Sequence, residues 1–329
     1  MDRLKLGVVM DPIQAITPYK DTTLALLLEA QRRGWVVHYL EMADLYIRDG
    51  QARGRSRRVE VRDDNDDWYT LEPGPDLALA ELDTILMRKD PPFDTEYIYA
   101  TYILERAETA GTLLVNRPSA LRDVNEKMAI TAYADLCPPT LVGRDARQFR
   151  EFLAEQGEIV VKPLDGMGGS RVFHIKRGDT NLSVILEVLT EHGSRFAMAQ
   201  RYLPQILDGD KRILMIDAEP VPYALARIPA QGELRGNLAA GGRGQGVELS
   251  AADRRICAAV APMLRARGLL FVGLDVIGDK LTEINVTSPT CVRELEKIYG
   301  LNIAGQLLDA VAARVKADGP VDASRRGGR

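Results

Sequence analysis

Three oxygen-bearing side chains, Asp275, Glu283 and Asn285, sit in a stretch that is otherwise apolar and β-branched. Residues 269–277 and 281–286 flank Gly278-Asp279-Lys280, and this pattern predicts a β-hairpin. Glu283 and Asn285 are two apart, so on a strand they share a face. The side taken by Asp275 depends on the turn. A two-residue loop pairs Leu274 with Glu283 and sends Asp275 to the other face, whereas a three-residue loop pairs Asp275 directly with Glu283. Carboxylates placed opposite one another repel, which argues for a cation between them. Hard oxygen ligands with room for waters and phosphate oxygens suit Mg²⁺. The plainer alternative is the polar outer face of an amphipathic hairpin.

Two lysines and a glycine-rich loop keep company with this hairpin. Residues 158–175 read as a strand, the loop Asp165-Gly166-Met167-Gly168-Gly169-Ser170, and a second strand. Because the loop leads to a strand and not to a helix, it is neither a Walker A loop nor a dinucleotide fingerprint. Its glycines let main-chain N–H groups approach an anion closely. Lys162, on an apolar strand just before Pro163, is costly to bury without an anionic partner. Residues 123–126, Asp-Val-Asn-Glu, read as a capping-box helix start with Asp123 as N-cap and Glu126 at the third position. That puts Lys127 in the first turn, where it opposes the helix dipole by a few tenths to about 1 kcal/mol unless an anion such as phosphate lies nearby.

The elements that must carry these groups form a recognisable plan. At 329 residues the chain exceeds one ordinary core, so two or three domains are expected. The net charge of −4 argues against nucleic acid as the main partner. Three scattered cysteines without a CxxC suit free thiols in a reducing cytosol. No signal peptide or span of apolar residues for a membrane is read, so a cytoplasmic location is expected. Residues 4–10, 22–33 and 35–40 read as strand, helix and strand, which implies a parallel sheet. Ligands lie beyond the carboxyl ends of such strands, which places Asp11, Thr22 and Thr23 near a site. Residues 49–82 suggest a small antiparallel excursion, and residues 83–88 a strand that delivers Arg88. Helix 96–110 and strand 112–116 complete this part. Later come helix 181–191, strand 195–203, a turn at 208–212 into strand 213–218, and strand 222–227 with Arg227 at its end. Residues 228–246, rich in glycine and carrying Arg235, Asn237 and Arg243, read as a lid loop. Helices 251–267, 292–298 and 303–315 come next, and residues 317–329 read as a disordered tail.

Five stretches together, Asp11-Pro-Ile, residues 87–94 (Met-Arg-Lys-Asp-Pro-Pro-Phe-Asp), 162–169 (Lys-Pro-Leu-Asp-Gly-Met-Gly-Gly), 236–244 (Gly-Asn-Leu-Ala-Ala-Gly-Gly-Arg-Gly) and 282–290 (Thr-Glu-Ile-Asn-Val-Thr-Ser-Pro-Thr), closely resemble the bacterial glutathione synthetases of the ATP-grasp superfamily. The resemblance spans residues 1–316. It departs at Thr22-Thr23, where serines are common, and after Lys316. It implies an α/β and α+β protein with the ATP-grasp fold: an N-terminal α/β (pre-ATP-grasp) domain over residues 1–122, a small central lid domain over 123–203, and a C-terminal antiparallel-sheet domain over 204–316. The implied reaction joins γ-L-glutamyl-L-cysteine to glycine, converting ATP to ADP and phosphate through an acylphosphate. Another ATP-grasp ligase with a different acid and amine is the alternative.

The resemblance also implies site roles, position by position. Asp275, Glu283 and Asn285 would hold two Mg²⁺, with Mn²⁺ an acceptable substitute. Lys127 and Lys162 would neutralise the phosphates, and Gly166, Met167, Gly168 and Gly169 would close over them. Gln200, Arg201, Tyr202 and Leu203 would meet adenine, with Asp210 and Asn285 also on the nucleotide side. Arg212, Arg227 and Arg235 would serve catalysis. Asp11, Thr22, Arg88, Asn237, Val286, Thr287 and Ser288, with Arg212 and Arg227, would bind the other substrates. A homotetramer without nucleic-acid or membrane partners is implied as well.

Overall fold

A computed structural model of the protein describes residues 3–233, 236 and 241–318. The first sheet grows from β1 (Lys5–Val9), α1 (Thr22–Arg32) and β2 (Val36–Leu40). The antiparallel run β3 (Leu45–Arg48), β4 (Gln51–Val61) and β5 (Tyr69–Ala78) comes next, then β6 (Thr84–Met87), α2 (Thr95–Thr109) and β7 (Leu113–Val115). The strands lie in the order β3-β4-β2-β1-β6-β7, with β5 on β4. Pairings among β2, β1, β6 and β7 are parallel. The antiparallel excursion is larger than the weak alternation suggested, since β4 and β5 are 11 and 10 residues long.

After α3 (Pro118–Asp123) a second, four-stranded sheet is built from β8 (Thr140–Gly143), α4 (Ala146–Gln156), β9 (Glu158–Pro163), β10 (Phe173–Lys176), α5 (Leu182–Thr190) and β11 (Ala197–Arg201). It packs α4 and α5 over a small core of its own around Phe149, Ile159, Val161 and Leu186. The third sheet holds β12 (Asp210–Ile216), β13 (Glu219–Ile228), β14 (Arg243–Glu248), β15 (Phe271–Ile277) and β16 (Lys280–Asn285) in the order β14-β13-β12-β15-β16. The helix α6 (Ala251–Arg267) precedes its hairpin, and α7 (Val292–Tyr299) and α8 (Ile303–Asp318) close the chain. Here Ser250 caps α6 in a capping box with Asp253, and Gly268 ends it in the left-handed region, as the sequence at both ends dictates.

Three expectations are corrected. Asp123 is not an N-cap but the last residue of α3. The cap is Asn125, whose Oδ1 accepts from the N–H groups of Lys127 and Met128 at 3.0 and 2.9 Å. Met128 to Leu136 then forms a 3₁₀ run, so the macrodipole argument for Lys127 lapses and its partners must explain it. The strand expected from residue 213 begins at Asp210, because the ladders to β13 and β15 both reach back to that residue, which stands opposite Arg227 on one side and Ile277 on the other. The supposed lid loop ends sooner than residue 246, since Arg243–Glu248 pairs antiparallel with β13. Arg235 and Asn237 lie outside the described residues.

The first and third sheets are joined by a buried side chain that sequence reading passed over. Asn116, directly after β7, donates to the carbonyls of Phe271 and Val286 at 2.7 Å each and accepts from Phe271 N–H at 2.9 Å. These bonds hold the start of β15 and the exit of β16 against the carboxyl edge of the parallel sheet. Asn116→Ala strips partners from three buried main-chain groups, each costing about 1–3 kcal/mol. A clear fall in the urea midpoint is therefore expected, and an unchanged midpoint would show that water replaces the amide.

Candidate active site

The hairpin turn resolves in a way that neither counting scheme anticipated. Ile277 pairs with Lys280 across a two-residue loop, yet Asp275 pairs with Glu283 and Gly273 with Asn285. A bulge at Thr282 restores the register, and Thr282 Oγ1 donates to the Asp275 carbonyl at 3.1 Å. The extra residue does what a bulge does: it re-aims the side chains beyond it. On the neighbouring strand Arg212 stands opposite Asp275. Arg212, Asp275 and Glu283 thus form one row across β12, β15 and β16. Arg212 passes so close over Gly273 that an added Cβ would sit 2.9 Å from its Cδ, which is why that strand position has no side chain.

Charges in and around this row are matched. Arg212 Nε and Nη2 donate to Asp275 at 2.5 and 3.0 Å, and Arg227 Nη2 reaches the same carboxylate at 2.9 Å. Arg227 also pairs with Asp210. Lys162, from β9 of the second sheet, donates to Glu283 Oε1 at 3.1 Å. Lys127 pairs with Glu126, lies 3.6 Å from Glu283 Oε1 and donates to the Gly166 carbonyl at 2.7 Å. Burial pushes the Asp275 and Glu283 carboxyls up, but the guanidinium pair and the lysine pair respectively outweigh it and hold both below their ordinary values. Glu126 moves the other way, raised by burial and by Glu283. Lys127 loses by burial and gains more from Glu283 and Glu126, so it stays charged.

Asp210 differs again. Burial pushes its carboxyl up to about 6, with Arg227 opposing and Asp275 adding, and its Oδ1 is buried without a partner. A carboxyl whose folded value lies above the ordinary 3.8 costs stability when ionised, and that cost vanishes as the pH falls from about 6 toward 4. Wild type should therefore gain on Asp210→Asn in melting temperature between pH 7 and pH 4.5. A constant difference over that range would refute the raised value.

Two cavities meet at this row. The first, about 560 Å³, lies between the second and third sheets. Lys127, Lys162, Gly166, Met167, Gly168, Gly169, Gln200, Arg201, Tyr202, Leu203, Asp210, Arg212, Asp275, Glu283 and Asn285 all line it. Gly168 and Gly169 have φ of 62° and 76°, a backbone that glycine adopts freely. At the cavity's other end His174 and Tyr202 stack with centroids 4.0 Å apart. The N–H groups of Arg201 and Tyr202 are already given to the carbonyls of Pro139 and Glu158. Pro139 has no N–H to return, so no ladder bond comes back to the Arg201 carbonyl from that side.

The second cavity, about 590 Å³, opens at the carboxyl ends of β1 and β6. Asp11, Thr22, Arg88, Thr287 and Ser288 line it, together with Arg212, Arg227 and Asn285. Arg88 is buried and donates to Thr23 Oγ1 at 3.2 Å and the Pro289 carbonyl at 2.9 Å. Asp11 is held by Lys89 Nζ and Asp90 N–H, both at 2.9 Å. Val286 is not brought in; it is buried in the core, beside a smaller recess next to Thr287. Sequence reading missed Asp21 and Glu294, which line this cavity, and saw Glu126 only as a cap although it borders both cavities. The spacing signals nothing for these three; only the fold assembles them.

Comparison with known proteins gives the family and the fold. Residues 4–122 match the family described as prokaryotic glutathione synthetase, N-terminal domain, and residues 126–300 its ATP-grasp domain. The chain belongs to the prokaryotic glutathione synthetases. It is 60% identical over 313 residues to the glutathione synthetase of Yersinia pestis, covering 95% of this chain and 98% of that protein. Against that of Vibrio cholerae serotype O1 it is 58% identical over 314 residues, covering 95% and 99%. Among solved structures, the D-cycloserine synthetase DcsG superposes with a TM-score of 0.66 at 19% identity, covering 94% of this chain and 99% of that one. The ATP-grasp ligase PsnB, complexed with minimal precursor, Mg and ADP, gives 0.62 at 18% identity, covering 94% and 98%. Likeness at that identity shows the fold, which is ATP-grasp. Membership at the higher identity gives the activity: the protein is an ATP-dependent ligase that makes glutathione. Among the described residues no helix is long and apolar enough to cross a membrane.

Proposed function

We propose that the enzyme works through an acylphosphate, with the two cavities dividing the labour. The observation that carries this reading is the wall they share: Glu126, Met167, Gly168, Arg212 and Asn285 border both. ATP occupies the first cavity and γ-glutamylcysteine the second, so the γ-phosphorus and the cysteinyl carboxylate meet at that wall. A carboxylate oxygen attacks phosphorus as the bond to ADP breaks. The glycine nitrogen then attacks the acyl carbon, and phosphate leaves. Such transfer needs positioning and charge neutralisation more than a protein nucleophile. Lys127 and Lys162 face the phosphates, the Gly166–Gly169 loop covers them, and Arg212 and Arg227 stabilise charge that develops on the acyl group. The Arg201 carbonyl, which receives no ladder bond from Pro139, and the main chain of Leu203 suit the edge of adenine. With a core of its own, the second sheet suits a cover that shuts water away from the acylphosphate.

Divalent metal fits the residues present. Among the described residues no group of three or more His, Cys, Asp or Glu side chains is placed to hold an ion alone. Mg²⁺ does not ask for one, since it is commonly held by one or two carboxylates plus substrate phosphates. Asp275, Glu283 and Asn285 would hold it, and bound there it would draw charge from the phosphate oxygens. Among the described residues that line the first cavity, five carboxylates (Glu126, Asp210, Glu233, Asp275, Glu283) stand with five cations (Lys127, Lys162, Arg171, Arg201, Arg212), a neutral balance. Such a site suits a triphosphate whose residual charge a second ion cancels, which supports two ions, with Mn²⁺ able to replace Mg²⁺. The division into domains at residues 122 and 203, and a homotetramer, are carried by the family resemblance; light scattering tests the latter.

The test of the whole reading is phosphate release from ATP and Mg²⁺ with γ-glutamylcysteine and glycine each omitted in turn, and with hydroxylamine replacing glycine. Release that needs both substrates, and a hydroxamate of the dipeptide in the last case, are expected. Release independent of the dipeptide, or no hydroxamate, would overturn the course proposed.

A further inference from the structure

Attack by glycine needs a proton acceptor, because the amine reaches the site as an ammonium with no lone pair to give. Among the described residues, Glu126 lines both cavities, and every other carboxylate that lines either of them borders only one. Its place is fixed through the main chain, since the Glu126 carbonyl accepts from Ile284 N–H at 2.9 Å, between Glu283 and Asn285. Its Oε1 pairs with Lys127, and no described residue donates to Oε2. The side chain keeps 20% of its surface exposed, where the two cavities meet. The charged groups that face it are Lys127 beside it, Glu283 on β16 and Asp275 on β15, with Lys162 of β9 reaching the same Glu283. Burial and then Glu283 push the Glu126 carboxyl up, and Lys127 opposes them. A carboxylate so placed accepts a proton more readily than one in water.

We propose that Glu126 is the general base of the ligation step, its Oε2 taking a proton from the ammonium of the incoming glycine at the wall between the cavities. The inference rests on the acylphosphate course proposed above and deepens it. One N–H proton passes to Oε2, and the freed lone pair forms the C–N bond to the acyl carbon. The C–O bond to phosphate then breaks with its electron pair on phosphate, which carries off the second proton as the amide forms. Glu126 returns its proton to water once the products leave. Phosphorylation of the dipeptide uses no such acceptor, because a carboxylate attacks phosphorus without losing a proton. Glu126 therefore serves the second half of the reaction and not the first.

Two acceptor amines test this in the full chain, at saturating ATP, Mg²⁺ and γ-glutamylcysteine. Glycine arrives protonated, whereas hydroxylamine arrives near neutral pH as the free base and needs no acceptor. Glu126→Gln should lower kcat for glycine by about 10²-fold or more, the usual worth of a general base, and hydroxamate formation by less than about threefold. A variant that loses the same factor with both amines overturns the assignment, as a residue that merely holds Lys127 would give, and so does one that ligates glycine at the wild-type rate. Wild type supplies an arm that needs no variant to fold. Its kcat/KM for glycine, divided by that for hydroxylamine, should stay level between about pH 7 and pH 8.5, since the ammonium is the form consumed. A ratio that climbs about tenfold per pH unit, as the free-amine fraction does, overturns the proposal. No hydroxamate from wild type would overturn the acylphosphate course and the base with it, whereas hydroxamate with equal losses in the variant overturns the base alone.

Discussion

Glu283→Gln is expected to slow ligation by about 10²–10³-fold, the loss that accompanies removal of one preorganised electrostatic contact at a reacting group, while the melting temperature changes little. The amide keeps the shape and one oxygen. Lys162 loses the carboxylate it reaches at 3.1 Å, but Lys127 retains Glu126 and the Gly166 carbonyl. The larger effect should therefore fall on turnover and on the Mg²⁺ concentration needed for half-maximal rate. Initial rates across a Mg²⁺ series, with a thermal melt beside them, read both quantities. A variant keeping more than about a tenth of the wild-type rate would remove Glu283 from the metal set.

Asp275→Asn, one place across the hairpin, should behave differently. Asp275 is buried between Arg212 and Arg227, and withdrawing its charge leaves two buried guanidiniums with Asp210 as their remaining carboxylate. Breaking a buried pair by removing one partner costs about 3–5 kcal/mol. The ligand-free variant should therefore unfold at a clearly lower denaturant concentration as well as losing turnover. An undiminished midpoint would mean that the arginines find other partners, and that the row across β12, β15 and β16 is not what holds them. The two variants together separate the part of the carboxylate row that serves chemistry from the part that also serves the fold.

Much of the site is legible in the sequence alone. Asp275, Glu283, Asn285, Lys162 and the glycine-rich loop stand out because polar or glycine residues interrupt apolar strands, where physics tolerates them only for a reason. The βαβ opening is legible for the same cause: its periodicity changes from strand to helix and back between residues 5 and 40. The failures are local and ambiguous. Asp123 and Asn125 are both cap-forming types, and spacing to Glu126 favours the wrong one. The bulge at Thr282 leaves no mark in composition, so counting turn residues cannot decide where Asp275 points. Asn116, Asp21 and Glu294 belong to elements whose partners lie far along the chain, and only tertiary contact gives them meaning.

The pairing of Lys162 and Lys127 with Glu283 means that the resting pocket is a set of internal substitutes. A lone divalent ion approaching Glu283 must evict ammonium groups, and a bare triphosphate approaching the lysines meets carboxylates. Arriving together, each supplies what the other displaces, and partners are swapped rather than created. Ion and nucleotide should therefore promote one another's binding, so that the enzyme ignores either when it comes unaccompanied.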